Sequence, residues 1–180
     1  MDLTKISSTA VMRLTPPSNL DNLQSTRKRT NKSFNSYILR GDRYTALIYP
    51  NGSVVILGCK SLSNLQYAMF DISSNLKAMI LQDPRITNEV YTGSYKRHVD
   101  LLETFNNLNN YSEDFIGHFE PELFPVLLCM WKDRMRTCSL RKSNAKLQVF
   151  YNGKIVITGV TNKDEALKLP NLVSSHIVFK

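Results

Sequence analysis

The sequence predicts an α+β chain built from two diverged halves, and three observations predict it. The stretch Lys146-Leu147-Gln148-Val149-Phe150-Tyr151-Asn152-Gly153-Lys154-Ile155-Val156-Ile157-Thr158-Gly159 reads as two short apolar strands closed by Asn152-Gly153. That dipeptide favours a tight hairpin because both residues tolerate positive φ. Similar text stands earlier: Asn51, Gly52, Val55, Ile56 and Gly58 recur as Asn152, Gly153, Val156, Ile157 and Gly159, 101 positions on. Between the copies the apolar period lengthens, and Leu65, Met69, Ile72, Leu76 and Met79 fall on one face of a helix. The expected halves are residues 1–84 and 85–180, fused as one pseudo-dimeric domain.

Residues 4–12 fit a first strand that Pro16-Pro17 breaks. Leu20 and Leu23 fit a short helix, with Ser18 as its cap. Arg27-Lys28-Arg29 and Lys32 form a basic run, read as a solvated loop. Phe34 to Leu39 is a strand, and Gly41-Asp42 turns it into Tyr44 to Tyr49. The first hairpin follows, then the helix, which starts near Ser61 or Ser63. Asp83-Pro84 ends the first half. The second half opens on a strand near Glu89 to Ser94, then a short helix from Val99 to Phe105 and a polar loop from Asn106 to Asn110. A strand runs from Phe124 to Trp131. The long connector from Lys132 to Asn144 carries Arg134, Arg136, Arg141 and Lys142. After the second hairpin, Asn162 caps a helix with Asp164 and Glu165 in its first turn, favourable for the helix dipole. Pro170 is expected to interrupt or kink that helix.

With 180 residues the chain suits one domain or two fused half-size repeats. Its 42% hydrophobic content argues against wholesale disorder. No apolar run approaches the ~18 residues of a membrane span, and no signal-peptide core is expected at Met1 to Lys5. Cys59, Cys129 and Cys138 lack metal-type spacing and suit a reducing compartment. The net charge of +8 favours a polyanionic partner. Enzyme readings find little support. His98 with Asp100, and His118 with Glu120, form no metal or nucleophile constellation, and no phosphate-binding glycine loop is present. Neither catalysis nor a cofactor or metal is expected.

Side chains alternate along strands. One face of the second hairpin presents Leu147, Val149, Ile155 and Ile157, and the other Gln148, Phe150, Val156 and Thr158. In the first hairpin the faces are Ala46, Ile48, Val54, Ile56 and Leu47, Tyr49, Val55, Leu57. Both faces are largely apolar. Either the sheet is buried on both sides within the protein, or its second face meets something else.

Phe119-Glu120-Pro121-Glu122-Leu123-Phe124-Pro125, followed by the second hairpin, resembles the second repeat of the TATA-box-binding protein core. Ala46-Leu47-Ile48-Tyr49 through Gly58-Cys59-Lys60-Ser61 resembles the first, and Lys5-Ile6-Ser7-Ser8-Thr9 the opening strand. The resemblance implies a saddle, a curved antiparallel sheet with helices on its convex face and DNA beneath. In that family apolar wedges enter the minor groove and kink it. Carried over by position, the wedges are Phe34, Tyr49, Phe124 and Phe150. Tyr49 departs from the family's Phe; its hydroxyl either weakens insertion or bonds a base edge. The groove floor is Leu47, Val55 and Leu57 in one half, Val156 and Thr158 in the other, with Ser7 and Thr9 on the opening strand. Gln148, where an apolar residue is expected, either bonds a base edge or marks relaxed contact. Arg40, Lys60 and Lys154 match positions near the phosphates, and Met130 stands where Arg40 would be mirrored. Lys5 and Val90 align with the family's central asparagines, which puts strict TATA preference in doubt.

The resemblance further implies that Glu120, Glu122 and Leu123 dock a B-type general transcription factor. The implied function is a transcription initiation factor that binds and bends AT-rich promoter DNA and gathers the RNA polymerase machinery. The basic connector would extend the second stirrup toward flanking phosphates or a dedicated partner. The divergent, Asn-rich sequence points to a virus-encoded or fast-evolving parasite version, acting in the nucleus, a viral factory or the virion. The rival reading is a scaffold of the same fold that does not bend DNA specifically.

Overall fold

The computed structural model describes residues 1–18, 20, 26–31, 34–132 and 144–180, with backbone alone for 26–31, 34 and 35. Its strands are β1 (Thr4–Leu14), β2 (Thr26–Asn31), β3 (Phe34–Gly41), β4 (Tyr44–Ile48), β5 (Ser53–Cys59), β6 (Ile80–Ser94), β7 (Phe115–Glu120), β8 (Phe124–Trp131), β9 (Lys146–Phe150) and β10 (Lys154–Val160). The helices are α1 (Leu62–Leu76), α2 (Leu101–Tyr111) and α3 (Lys163–Val173), the last followed by a 3-10 turn at Ser174–His176. The class is α+β. The chain divides into two compact units, Ser7–Asn88 and Met1–Ile6 with Glu89–Lys180. Asp83 and Pro84 lie inside β6.

In the unit Ser7–Asn88 the strand order is β2-β3-β4-β5-β1, with the first part of β6 beyond β1. Helix α1 buries Leu65, Ala68 and Ile72 against Ala46, Ile48, Val54, Ile56, Ala10 and Met12. Ser61 caps it by accepting from the Asn64 N–H at 3.2 Å. Lys77 ends it in the left-handed region at φ 48, so Met79 falls outside the helix and is exposed. Arg27-Lys28-Arg29 is strand rather than loop: β2 pairs with β3 from Thr26 opposite Leu39 to Asn31 opposite Phe34. The unpaired edge of β3 offers backbone partners, and charged residues are well suited to an outermost strand. Lys32 and the expected helix at Leu20 to Leu23, Leu20 excepted, lie outside the described residues.

In the other unit the order is β6-β10-β9-β8-β7. Its core joins Leu147, Val149, Ile155 and Ile157 to Leu101 and Leu108 of α2 and to Ala166, Leu169 and Val173 of α3. The expected polar loop Asn106–Asn110 is helix, and α2 runs on to Tyr111. The Asn109 amide accepts from the Gly117 N–H at 3.0 Å and donates to the Gly117 carbonyl at 3.2 Å. These bonds offset the low helix propensity of asparagine and occupy the outer edge of β7, a strand the sequence did not announce. Pro170 does not interrupt α3, which continues to Val173. Its ring is buried and its carbonyl accepts from the Tyr95 hydroxyl at 3.1 Å. Connector residues 133–143 and Cys138 lie outside the described residues. Among the described residues, no helix is long and apolar enough to cross a membrane.

The hairpin tips are closed by glycine alone at positive φ, Gly52 at 84 and Gly153 at 77. Asn51 and Asn152 act differently from expectation: their side-chain oxygens accept from the Ser53 and Lys154 N–H groups at 3.0 and 3.1 Å. Gly153 is also crowded, since a Cβ there would sit 2.0 Å from the Arg97 carbonyl oxygen, whereas Gly58, at φ 86, has open space around it. Gly58→Ala should therefore cost about 1–2 kcal/mol, the left-handed penalty alone. Gly153→Ala should cost clearly more, because backbone must also move. Urea unfolding of the two variants side by side checks the difference.

Burial pushes the Cys129 thiol up to about 12. An unfolded thiol ionises near ~8.5, so above that pH the unfolded state holds fewer protons and stability falls as pH rises toward 12. Between pH 9 and 10 the native protein should lose stability faster than Cys129→Ala, by about 1.4 kcal/mol per pH unit at most. Denaturation midpoints at the two pH values check this.

Candidate nucleic-acid interface

The helices take one face of each sheet and leave the other. Leu47, Tyr49, Val55 and Leu57, and likewise Gln148, Phe150, Val156 and Thr158, are half-buried, while their strand neighbours Ile48, Val54, Ile56, Leu147, Val149 and Ile157 are fully buried. The possibility of burial on both faces is thereby corrected. Helix α1 covers only the inner face of its unit, and α2 and α3 only that of theirs.

Register turns these half-buried residues into rows. In one unit Ile38 lies opposite Leu47, Leu47 opposite Val55, and Val55 opposite Val11. In the other Leu128 lies opposite Gln148, Gln148 opposite Val156, and Val156 opposite Thr92. The two rows are counterparts at the hairpin offset of 101, since Leu47 and Val55 correspond to Gln148 and Val156. Each half thus presents the same strip, with Gln148 breaking the second one. Ile38, Val11, Leu128 and Thr92 belong to these rows as well, although neither the hairpins nor the resemblance singles them out. Their signal was strand parity once the hairpins had been placed.

A second row carries charge. Arg40 is opposite Thr45, Thr45 opposite Leu57, and Leu57 opposite Thr9. Its counterpart runs from Met130 to Lys146 to Thr158. The cation missing at Met130 therefore reappears one strand over, at exposed Lys146, which shares its strand face with Gln148 and Phe150. Arg40, Lys60 and Lys154 are exposed as well.

Of the four aromatics, Phe150 ends β9 and Tyr49 directly follows β4 at the equivalent position, and both are half-buried. Phe124 begins β8 and is 57% exposed. Phe34 begins β3, and its side chain lies outside the described set. Glu120, Glu122 and Leu123 form the turn between β7 and β8, held by the Leu123 N–H donating to the Glu120 carbonyl at 3.1 Å. All three are exposed, Leu123 by 81%.

The opening strand behaves differently. Lys5 donates to Glu89 at 2.9 Å, and the Tyr91 hydroxyl donates to the other Glu89 oxygen at 2.5 Å. Glu89 and Tyr91 are buried on the helix side, so the Lys5 charge is compensated there. Burial first, then the Glu89 bond, raises the Tyr91 hydroxyl far above its ordinary value. Val90 is half-buried on the opposite face from Glu89 and Tyr91. Register places Ser8 opposite Cys59 and Glu89 opposite Val160, so counterparts on β1 and β6 differ by 81 positions (89 − 8). Ser7 then corresponds to Asn88, and Lys5 and Val90 are not counterparts. Ser7, Thr9 and Asn88 are half-buried.

The arrangement defines a two-repeat α+β protein with an uncovered, mostly apolar sheet face edged by cations. The family model described as transcription factor TFIID (or TATA-binding protein, TBP) matches residues 7–79 and 83–174, and the chain belongs to that family. The TATA-box-binding protein of Pyrodictium occultum is 31% identical over 142 residues, covering 76% of this chain and 64% of its own length. That of Emericella nidulans is 29% identical over 140 residues, 75% of this chain and 47% of the relative. The chain thus spans less than two thirds of these curated relatives. A solved structure, Methanococcus jannaschii TBP, aligns with a TM-score of 0.70 at 19% identity over 98% of both chains. The fold is the one the resemblance led us to expect.

Glu89 holds Lys5 and Tyr91 together from inside the core. Glu89→Ala leaves a half-buried ammonium and a buried hydroxyl without their acceptor and should cost about 3 kcal/mol. Glu89→Gln keeps an acceptor for Tyr91 and should cost about 1 kcal/mol. Chemical denaturation of both variants checks the order.

Proposed function

We propose that this protein is a transcription initiation factor that binds promoter DNA through the uncovered sheet face and bends it through the minor groove. The observation that carries the reading is the pair of equivalent rows, Ile38-Leu47-Val55-Val11 and Leu128-Gln148-Val156-Thr92. An apolar sheet face of this size is costly in water unless a partner covers it. A minor groove opened by a kink is shallow enough to lie on such a face and offers it sugar and base edges. Phe124, Phe150, Tyr49 and Phe34 stand at the strand ends where wedges would enter. Bending a site smoothly costs about 1–6 kcal/mol, which wedge burial and phosphate contacts at Arg40, Lys60, Lys146 and Lys154 would offset. With Lys5 neutralised by Glu89, polar contact from β1 and β6 falls to Ser7, Thr9 and Asn88 rather than to Lys5.

The exposed Leu123 between Glu120 and Glu122 suits docking of a B-type general transcription factor, and through it the RNA polymerase machinery. The protein would act wherever its genome is transcribed. Gln148, an amide in the middle of an apolar row, favours a second reading: a scaffold of the same fold that does not bend DNA specifically.

Binding to a labelled duplex with a TATA element, against a GC-rich duplex of equal length and at two salt concentrations, separates these readings. Each Phe wedge buries about 1.5–3 kcal/mol of side chain. The Phe124→Ala/Phe150→Ala variant should therefore lose about a hundredfold in affinity for the AT-rich duplex and lose its preference. Equal, salt-sensitive binding of both duplexes, unchanged in the variant, would mean backbone electrostatics alone. Absence of binding to either duplex would favour the scaffold.

A further inference from the structure

The tip of the second hairpin is packed against residues 95–99. Tyr95 donates its N–H to the Gly153 carbonyl at 2.9 Å, and Val99 donates to the Tyr151 carbonyl at 2.8 Å. The C-terminus closes the other side: the Lys180 N–H donates to the His98 carbonyl at 3.0 Å. The segment is therefore held firmly. It nevertheless carries Lys96, Arg97 and His98, with Lys154 and Lys180 beside them. His98 packs against Tyr151 with the rings tilted at 52° and 4.9 Å between centroids, and the Arg97 guanidinium lies 4.4 Å above Phe179. Lys180 pairs with Asp100 at 3.2 Å. Lys96 and Lys154 are exposed and make no ion pair among the described residues.

Packing does not require these charges. The bonds that hold the segment are made by backbone, and the first hairpin tip shares one of them, the Leu14 N–H donating to the Gly52 carbonyl at 2.8 Å. A Cβ on Gly52 would meet the Leu14 carbonyl oxygen at 2.2 Å, whereas one on Gly153 would meet that of Arg97 at 2.0 Å. At the β1 to β6 offset of 81, Thr15-Pro16-Pro17 in the first half corresponds to Lys96-Arg97-His98 in the second. The first tip is thus passed by a neutral sequence, on a backbone that differs beyond that one bond. Lys96 is moreover one of two non-glycine residues at positive φ among the described residues, at 58, with its N–H tied to the Ser94 hydroxyl at 2.9 Å. A lysine held in a strained conformation that its surroundings enforce points to use. It lines a concavity of about 920 Å³ together with Phe150, Lys154, Val156, Thr92 and Thr4, which places it beside the proposed wedge.

We propose that Lys96 and Lys154, backed by Arg97 and Lys180, form a cationic shoulder that grips a backbone phosphate of the duplex just beyond the Phe150 wedge, on the second half only. This rests on the DNA-binding reading above. The shoulder would clamp the strand on one side of the kink and make the two ends of the site unequal, because Thr15-Pro16-Pro17 offers no charge at the other end.

The test is the salt dependence of binding to an AT-rich duplex with flanks on both sides, for the native protein, Lys96→Gln, Lys96→Arg and Lys168→Gln. Lys168 is an exposed lysine of α3, on the helix side. One phosphate contact contributes about one unit to the slope of log K against log salt. Lys96→Gln should lower the slope by about 1 and weaken binding several-fold, Lys96→Arg should restore both, and Lys168→Gln should change neither. Shortening one flank should erase the difference between native and Lys96→Gln, while shortening the other should leave it. If the native protein binds but Lys96→Gln has an unchanged slope, or if Lys168→Gln lowers it equally, the shoulder is refuted while DNA binding stands. If the native protein binds no duplex, the DNA reading falls and the shoulder with it. Lys96 is exposed, and matching melting curves for the variants exclude misfolding as the cause.

Discussion

Everything in this protein depends on the antiparallel register that repeats in both halves. Period-two alternation assigns each strand residue to one of two faces, and a slip of one residue would exchange them. Ile48, Val54 and Ile56 under α1, and Leu147, Ile155 and Ile157 under α2 and α3, are fully buried. That burial holds the register in place. Once it is held, the opposite face follows without further choice: Leu47, Val55, Gln148 and Val156 must look away from the helices. The functional face is thus specified by the core rather than by contacts of its own, and its side chains are free to diverge.

That freedom shows where the two halves differ. Leu47 has become Gln148 with no change in pairing, because register belongs to the backbone and to the buried neighbours. The cation at Arg40 has no mirror at Met130, yet Lys146 restores charge to the same row from the adjacent strand. Charge near a phosphate path acts over a distance comparable to the strand spacing, so its exact strand matters less than its presence. Lys5 shows the reverse case. Its charge is consumed by Glu89 inside the core, and a lysine that looks like a polar contact in the sequence is a structural one.

Local signals were legible in the sequence, and long-range ones were not. The Asn-Gly hairpins, the Ser61 and Asn162 caps and the α1 stripe up to Leu76 each involve residues within a few positions of one another, and they form where expected, although glycine alone takes the positive φ at each tip and Met79 falls outside the helix. The missed features depend on distant partners. Asn106–Asn110 reads as a loop until Gly117 supplies the bonds that hold Asn109 in a helix. Arg27–Arg29 reads as solvated until β3 provides a strand to pair with. Pro170 reads as a break until the core around α3 accepts its ring. The aromatic positions came from resemblance, while the rows joining them required register, which a single hairpin does not reveal. The correspondence of Ser7 with Asn88 likewise depends on pairing across β1 to β5 and β6 to β10.

The closure of the two hairpin tips carries this separation furthest. Each tip is fixed by one glycine and by backbone bonds from the strand that passes it. Neither kind of contact reads the passing side chains. Thr15-Pro16-Pro17 and Lys96-Arg97-His98 share one such bond, from Leu14 and Tyr95, and then diverge: Lys96 turns at positive φ and its segment is braced by Tyr151 and Phe179, whereas Thr15 bonds Met79. Where backbone does the holding, side chains are free to differ, and the cations of the second tip line the same concavity as Phe150. A protein made of two equivalent halves would bind a duplex equally well in either orientation. If the sheet face binds DNA as proposed, unequal tips would remove that equivalence.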